Sequence, residues 1–200
     1  MKPVERGEVL GLAEYEKVRD AFRARVIEEK KRRRVKLGDR ATCVFENHDT
    51  ALMQIQEMLR TERISREAAV LHEIETYNEL VPKDDELSAT IFVEIDDKPT
   101  REAFLVAAKG LEKRFAVVVD GDRCAGTDDG KTEGADRTAA VHYIKFPLTA
   151  GAVRAFKDVA ERKRKASELV VELVADHAAY TASVRLPPEV VLSLAEDFVG

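Results

Sequence analysis

Glu46, Asn47, His48 and Asp49 stand together, and Gln54, Gln56 and Glu57 follow within the first turns of a helix that Asn47 or Asp49 can start. Carboxylates and an imidazole gathered at a strand end can ligate iron, manganese or zinc. The same atoms serve equally as an N-cap and a latch between strand and helix, since Asn and Asp accept hydrogen bonds from the free N–H groups of a first helical turn. Glu46, Asn47, Gln54 and Glu57 are read first as a polar surface for a partner protein. A metal site is the alternative, with Glu46, Glu57, His142 and His177 converging in space. The histidines His48, His72, His142 and His177 form no His-x-x-His, His-x-x-x-His or His-Glu-x-x-His spacing, so only tertiary folding could assemble it.

The run Lys30-Lys31-Arg32-Arg33-Arg34 and a second basic cluster containing Arg162 and Arg164 could contact phosphates. They could equally be solvated helix ends that offset the macrodipole. The formal charge of −5, from 33 Lys and Arg against 38 Asp and Glu, opposes loose binding to nucleic acid. Asp120-Gly121-Asp122 opens like a calcium loop, but Arg123 and Cys124 follow where oxygen ligands belong. No Gly-x-Gly-x-x-Gly, P-loop or Gly-x-Ser-x-Gly is present. Cys43 and Cys124 make no Cys-x-x-Cys pair, which excludes a disulfide framework and an iron–sulfur cluster of the chain's own.

These groups must be held by a core, and 200 residues with 44% hydrophobic and 36% charged composition suit one water-soluble domain. Phe115 to Val119 is the longest purely apolar run, far below the roughly 20 residues of a spanning helix. The charged start Met1-Lys2-Pro3-Val4-Glu5-Arg6 offers nothing for a secretion machinery to read, so a cytoplasmic protein without membrane contact is expected.

Leu12, Tyr15, Val18, Phe22 and Val26 predict a long N-terminal helix ending near Lys36, an arm spanning 1–38. Ala41 to Glu46 reads as a strand, and two helices follow it. Ser88 to Ile95 and Phe115 to Val119 are further strands. The segment 120–137, rich in glycine and acidic residues, reads as the flexible turn of a hairpin returning through Thr138 to Phe146. A helix over 152–165, a second hairpin around Asp176-His177-Ala178 and a short terminal helix complete the chain. The expectation is a single α+β domain, with an antiparallel or mixed sheet of about five to six strands and helices packed on it.

Phe45-Glu46-Asn47-His48-Asp49-Thr50, Gln54 to Arg60 and Glu62-Arg63-Ile64 resemble an uncharacterised bacterial family, domain-of-unknown-function family 3501. Thr76-Tyr77-Asn78-Glu79-Leu80, Leu87-Ser88-Ala89-Thr90, Val141 to Phe146 and Asp176-His177 agree with it as well. The family has arginine where this chain carries His48 and proline where it carries Ala178, which makes His48 a poor shared ligand. The resemblance implies a setting beside rubrerythrin-like and iron–sulfur proteins, and assigns no activity. The reading is an accessory protein, not clearly an enzyme, that works with such a redox partner through Glu46, Asn47, Gln54 and Glu57. The metal site and the basic clusters are the alternatives. No cofactor is specified.

Overall fold

The computed structural model describes residues 1–128 and 136–199; residues 129–135 of the expected 120–137 loop lie outside the described residues. The apolar spacing near the N-terminus does wind into a helix, α1 (Leu12–Arg32), but it stops at Arg32. Arg34–Leu37 is instead a strand, β1, with exposed Arg34 and Lys36 alternating with buried Val35 and Leu37. The run of basic residues hides that two-residue period. At Gly38 the chain turns with φ of +64°, and a Cβ there would lie 2.7 Å from the Tyr180 hydroxyl.

The order continues β2 (Ala41–Phe45), α2 (His48–Thr61), α3 (Glu67–Asn78), β3 (Glu86–Val93), α4 (Lys98–Ala107), β4 (Phe115–Val119) and β5 (Asp122–Ala125). It ends with β6 (Val141–Pro147), α5 (Ala150–Ala160), β7 (Val171–His177), β8 (Tyr180–Arg185) and α6 (Pro188–Glu196). The fold is α+β, as expected, but the strands form two four-stranded antiparallel sheets, β1-β2-β3-β6 and β5-β4-β7-β8, where one sheet was expected. The expected hairpin is also redrawn. Asp120 and Gly121 turn β4 directly into β5, whereas β6 joins β3 in the other sheet.

Both sheets turn an apolar face to one core. Cys43, Phe45, Ile91, Ile144 and Phe146 from the first meet Phe115, Val117, Val171 and Leu173 from the second, with Phe104, Phe156 and Val191 from α4, α5 and α6. The sheet edges also touch: the Tyr180 hydroxyl on β8 donates to the Leu37 carbonyl on β1, and Thr127, just past β5, exchanges backbone hydrogen bonds with Lys145 on β6. A second cluster, built on Ile55, Leu59, Val70 and Ile74, joins α2, α3 and the N-terminal segment. Two buried or part-buried amides tie that segment down. Asn78 takes the Val4 N–H at 2.8 Å and donates to the Val4 carbonyl at 2.9 Å, and Gln56 holds Leu10 in the same two-sided way. No helix among the described residues is long and apolar enough to cross a membrane.

α1 is fastened to the body at both ends, not set apart as an arm. Near its start, the Glu57 carboxylate on α2 accepts from the Tyr15 hydroxyl at 2.7 Å, from Arg19 at 2.9 Å and from Arg23. Just past its last turn lies Arg33, 1% exposed. Its guanidinium donates to Glu29 at 2.8 Å, to both carboxylate oxygens of Asp197, to the Ser193 carbonyl at 2.9 Å and to the Glu46 carbonyl at 3.4 Å. Burial alone would lower the Arg33 pKa, but Asp197 and Glu29 more than offset it and carry the value up.

Deleting one partner of such a buried pair strands the other charge, so Arg33→Ala should cost about 3–5 kcal/mol in urea unfolding. A loss below about 1 kcal/mol, the range of an exposed pair, would mean that the guanidinium is not the clamp described here. A second prediction concerns acid. Arg19, with Tyr15 and Arg23, outweighs burial and holds the Glu57 carboxyl at about 2 against its ordinary 4.5. A depressed carboxyl contributes stability that is complete above its unfolded value and is lost as pH falls toward its folded value. Wild type should therefore lose its stability advantage over Glu57→Gln between about pH 4.5 and 2, with little change in the difference from pH 5 to 7. Urea midpoints measured across that range check this.

Candidate functional site

Backbone register arranges the side chains on the face of the β1-β2-β3-β6 sheet that points away from the shared core. Phe45 opposes Ala89, so Glu46 falls beside Ser88, and Ser88 opposes Lys145 in turn; Val44, Thr90 and Tyr143 make the next row. Thr42, Val44, Ser88 and Thr90 are buried although they lie on this second face. Between this face and the end of α3 lies a groove of about 620 Å3. Ser88, Tyr143 and Lys145 line it from the sheet, Thr76, Tyr77, Glu79 and Leu80 from α3 and its following turn, and Thr127 and Asp128 from the segment after β5.

Groove chemistry is mostly apolar and aromatic, with hydroxyls and a few charges placed among it. Lys145 reaches the Glu86 carboxylate at 3.0 Å, and Glu86 also accepts the Lys83 N–H at 3.0 Å. Tyr143 is 45% exposed. Tyr77 is partly buried, and burial raises its pKa against the opposing effect of Gln54, so the ring keeps its hydroxyl proton as a donor. Pockets with apolar walls and a few fixed polar groups are the usual form of a binding site.

Most of the residues that the sequence singles out are engaged elsewhere. Glu46 is buried and its Oε1 accepts from the Thr90 hydroxyl at 2.6 Å, while Oε2 has no hydrogen-bond partner among the described residues. Asn47 caps α2: its Oδ1 accepts the Thr50 N–H at 2.9 Å, and the Thr50 hydroxyl accepts the Asn47 N–H at 2.9 Å. Glu57 is taken up by Tyr15, Arg19 and Arg23. Of the expected surface set, Glu46 reaches the groove wall through its backbone, its N–H donating to the Ser88 carbonyl at 2.8 Å. His48 bridges Glu8 at 3.1 Å and Asp49 at 3.6 Å. The Asp49 and Glu8 carboxylates raise its pKa against the pull of burial.

The metal reading is not supported by the placement of its residues. Glu57 belongs to the α1–α2 ion pairs. His142 is buried on the core face of β6 against the Phe115 ring, at 5.8 Å between centroids, where loss of solvent lowers its pKa. His177 lies in the β7–β8 turn. A carbonyl only accepts, so the 3.0 Å contact of its Nε2 with the Lys109 carbonyl puts the proton on Nε2, and Nδ1 accepts the Ala179 N–H at 3.1 Å. Its ring nitrogens are both used. Among the described residues, no three His, Cys, Asp or Glu side chains gather as metal ligands. Cys43 and Cys124 are buried, and burial pushes the Cys43 thiol well up.

The basic run likewise fails to form one exposed patch, because the chain changes from helix to strand within it. Arg33 points into the protein, Lys31 pairs with Glu28 at 2.6 Å, Arg32 with Glu29 and Arg34 with Glu94 at 3.7 Å. Lys30 is half-buried. In the second cluster Arg164 is held by Asp120 and by the Glu168 carbonyl, and Arg162 sits at the end of α5 with φ of +60°.

Composition and local spacing do not reveal the groove, since its walls come from four separate segments. The signal that could have found it is the set of motif segments itself: Thr76 to Leu80, Ser88, Tyr143 and Lys145 all occur in the stretches that carry the family resemblance. No curated protein matches the chain. Among solved structures, the crystal structure of a novel protein of unknown function from Burkholderia pseudomallei K96243 is similar. It is 32% identical with a TM-score of 0.87, over 98% of this chain and 99% of that one. The family model described as protein of unknown function (DUF3501) matches residues 3–198. With nearly its whole length matched, the chain belongs to the DUF3501 family.

Proposed function

We propose that this protein is a non-enzymatic accessory protein whose groove between α3 and the outer sheet face receives a partner. The observation that carries this reading is that three motif segments far apart in the chain meet on that groove. They bring two tyrosines, Leu80, hydroxyl groups and a paired lysine, but no nucleophile held by a base. Tyrosines beside apolar side chains are the usual anchors of a protein interface, since a rigid amphipathic ring buries area at small entropic cost. Partner choice rests on the family resemblance, which points to a rubrerythrin-like or iron–sulfur redox protein. The cytoplasm would then be the shared compartment.

Tyr143 projects from a sheet face and is half exposed, so Tyr143→Asp should leave the fold intact while placing a charge in the groove. Tagged wild-type protein should retain an iron-containing redox protein from host extract, identified by mass spectrometry and metal content. Tyr143→Asp should retain at least about tenfold less, the effect of losing one anchor of ordinary strength. Equal recovery by both forms, or repeated recovery of no redox protein by wild type, would remove this reading.

A further inference from the structure

A second cleft, of about 530 Å3, lies between the segment that follows α4 and the β7–β8 turn. We propose that it binds a small phosphate-bearing anion through Lys109 and Arg114. Among the described residues lining the cleft, Lys109 and Arg114 face the Asp176 carboxylate, in a chain whose formal charge is −5. Asp176 is itself approached by Arg123 at 4.0 Å, which further weakens its repulsion of an anion.

The cations stand on fixed backbone. Gly110, with φ of +89°, turns the chain after Lys109, and nothing lies within 4 Å of the place a Cβ would occupy, so the conformation alone calls for glycine there. Leu111 and Phe115, 0% and 1% exposed, anchor the next turn in the core and leave Lys113 and Arg114 at the surface. His177 closes the arrangement from the other side. By donating to the Lys109 carbonyl it locks the β7–β8 turn against the cationic segment, which makes it a positioning residue and not a ligand. An arginine fork and an ammonium group lining one cleft match a phosphate group better than a single carboxylate. The acidic whole-chain charge disfavours a long polyanion.

Inorganic pyrophosphate, with orthophosphate and citrate in separate arms, would be titrated into the full chain at constant ionic strength and followed through backbone amide resonances. Saturable shifts are expected at Lys109 to Arg114 and Asp176 to Ala179, weakening as sodium chloride is raised. Lys109→Gln and Arg114→Gln alter exposed side chains and should each bind pyrophosphate about tenfold more weakly, as loss of one charge-assisted hydrogen bond requires. Resonances remote from the cleft would confirm that the variants fold. Shifts reproduced by sodium chloride alone, unchanged affinity in both variants, or citrate bound as tightly as pyrophosphate would overturn the proposal. Tyr143→Asp should bind pyrophosphate like wild type, which separates this site from the groove.

Discussion

A guanidinium removed from water keeps its charge only if every N–H finds an acceptor and a carboxylate lies close by. Arg33 meets that condition with four residues drawn from three places: Glu29 one helical turn earlier, the Glu46 carbonyl at the end of β2, and Ser193 and Asp197 at the end of α6. The requirement is demanding because partial satisfaction is worse than none. It fixes where α1 ends, since Arg33 must leave the helix for its side chain to turn inward and for its carbonyl to accept the Phe45 N–H at 3.1 Å. The same Glu29 carboxylate oxygen takes a donor from Asn47 at 3.3 Å and from Ser193 at 3.4 Å. The α2 cap, the first sheet and the C-terminal helix are thereby set in one polar knot.

From that knot the positions of groove and cleft follow through the sheets. Glu46 leads from β2 into the Asn47 cap, and α2 carries Gln56 and Glu57, which hold the N-terminal segment and α1. α2 packs on α3, so the end of α3 comes to rest over Ser88 and Tyr143. The middle strands of the first sheet, β2 and β3, are consequently covered on both faces, which explains why β2 is buried at every position while β1, β6 and β8 alternate. On the second sheet, the β7–β8 turn is held to the α4–β4 segment by the His177 imidazole. Groove and cleft thus stand on different sheets joined by one core.

Helices were the legible part of the sequence, because their apolar residues repeat at three and four and a cap can be written locally, as at Asn47. The strand assigned to Phe115 to Val119 was legible for a similar reason, an unbroken apolar run. The pairing of strands was not. Nothing within 115–147 says that β4 turns back at Gly121 or that β6 crosses to the other sheet, since both partners offer apolar faces of the same kind. β1 was read as helix because Arg33 and Arg34 look like a solvated helix end when burial is unknown. The candidate residues suffered from the same blindness. Glu57 and Arg33 carry charges that suggest ligands, and only the fold reveals that each charge has its partner inside the chain.

The motif block around Glu46 to Glu57 owes its character to assembly, and this bears on how the rest of the chain should be read. Asn47, Gln56 and Arg33 answer backbone groups of Thr50, Leu10 and Ser193, and replacing any one of them removes that hydrogen bond. A demand of that kind constrains residue type as strongly as chemistry does. Tyr143 and Lys109 face no comparable internal demand: both are exposed, and neither closes the core. Residues of that second kind, gathered where the fold leaves a concavity, are the ones whose chemistry remains available to something outside the chain.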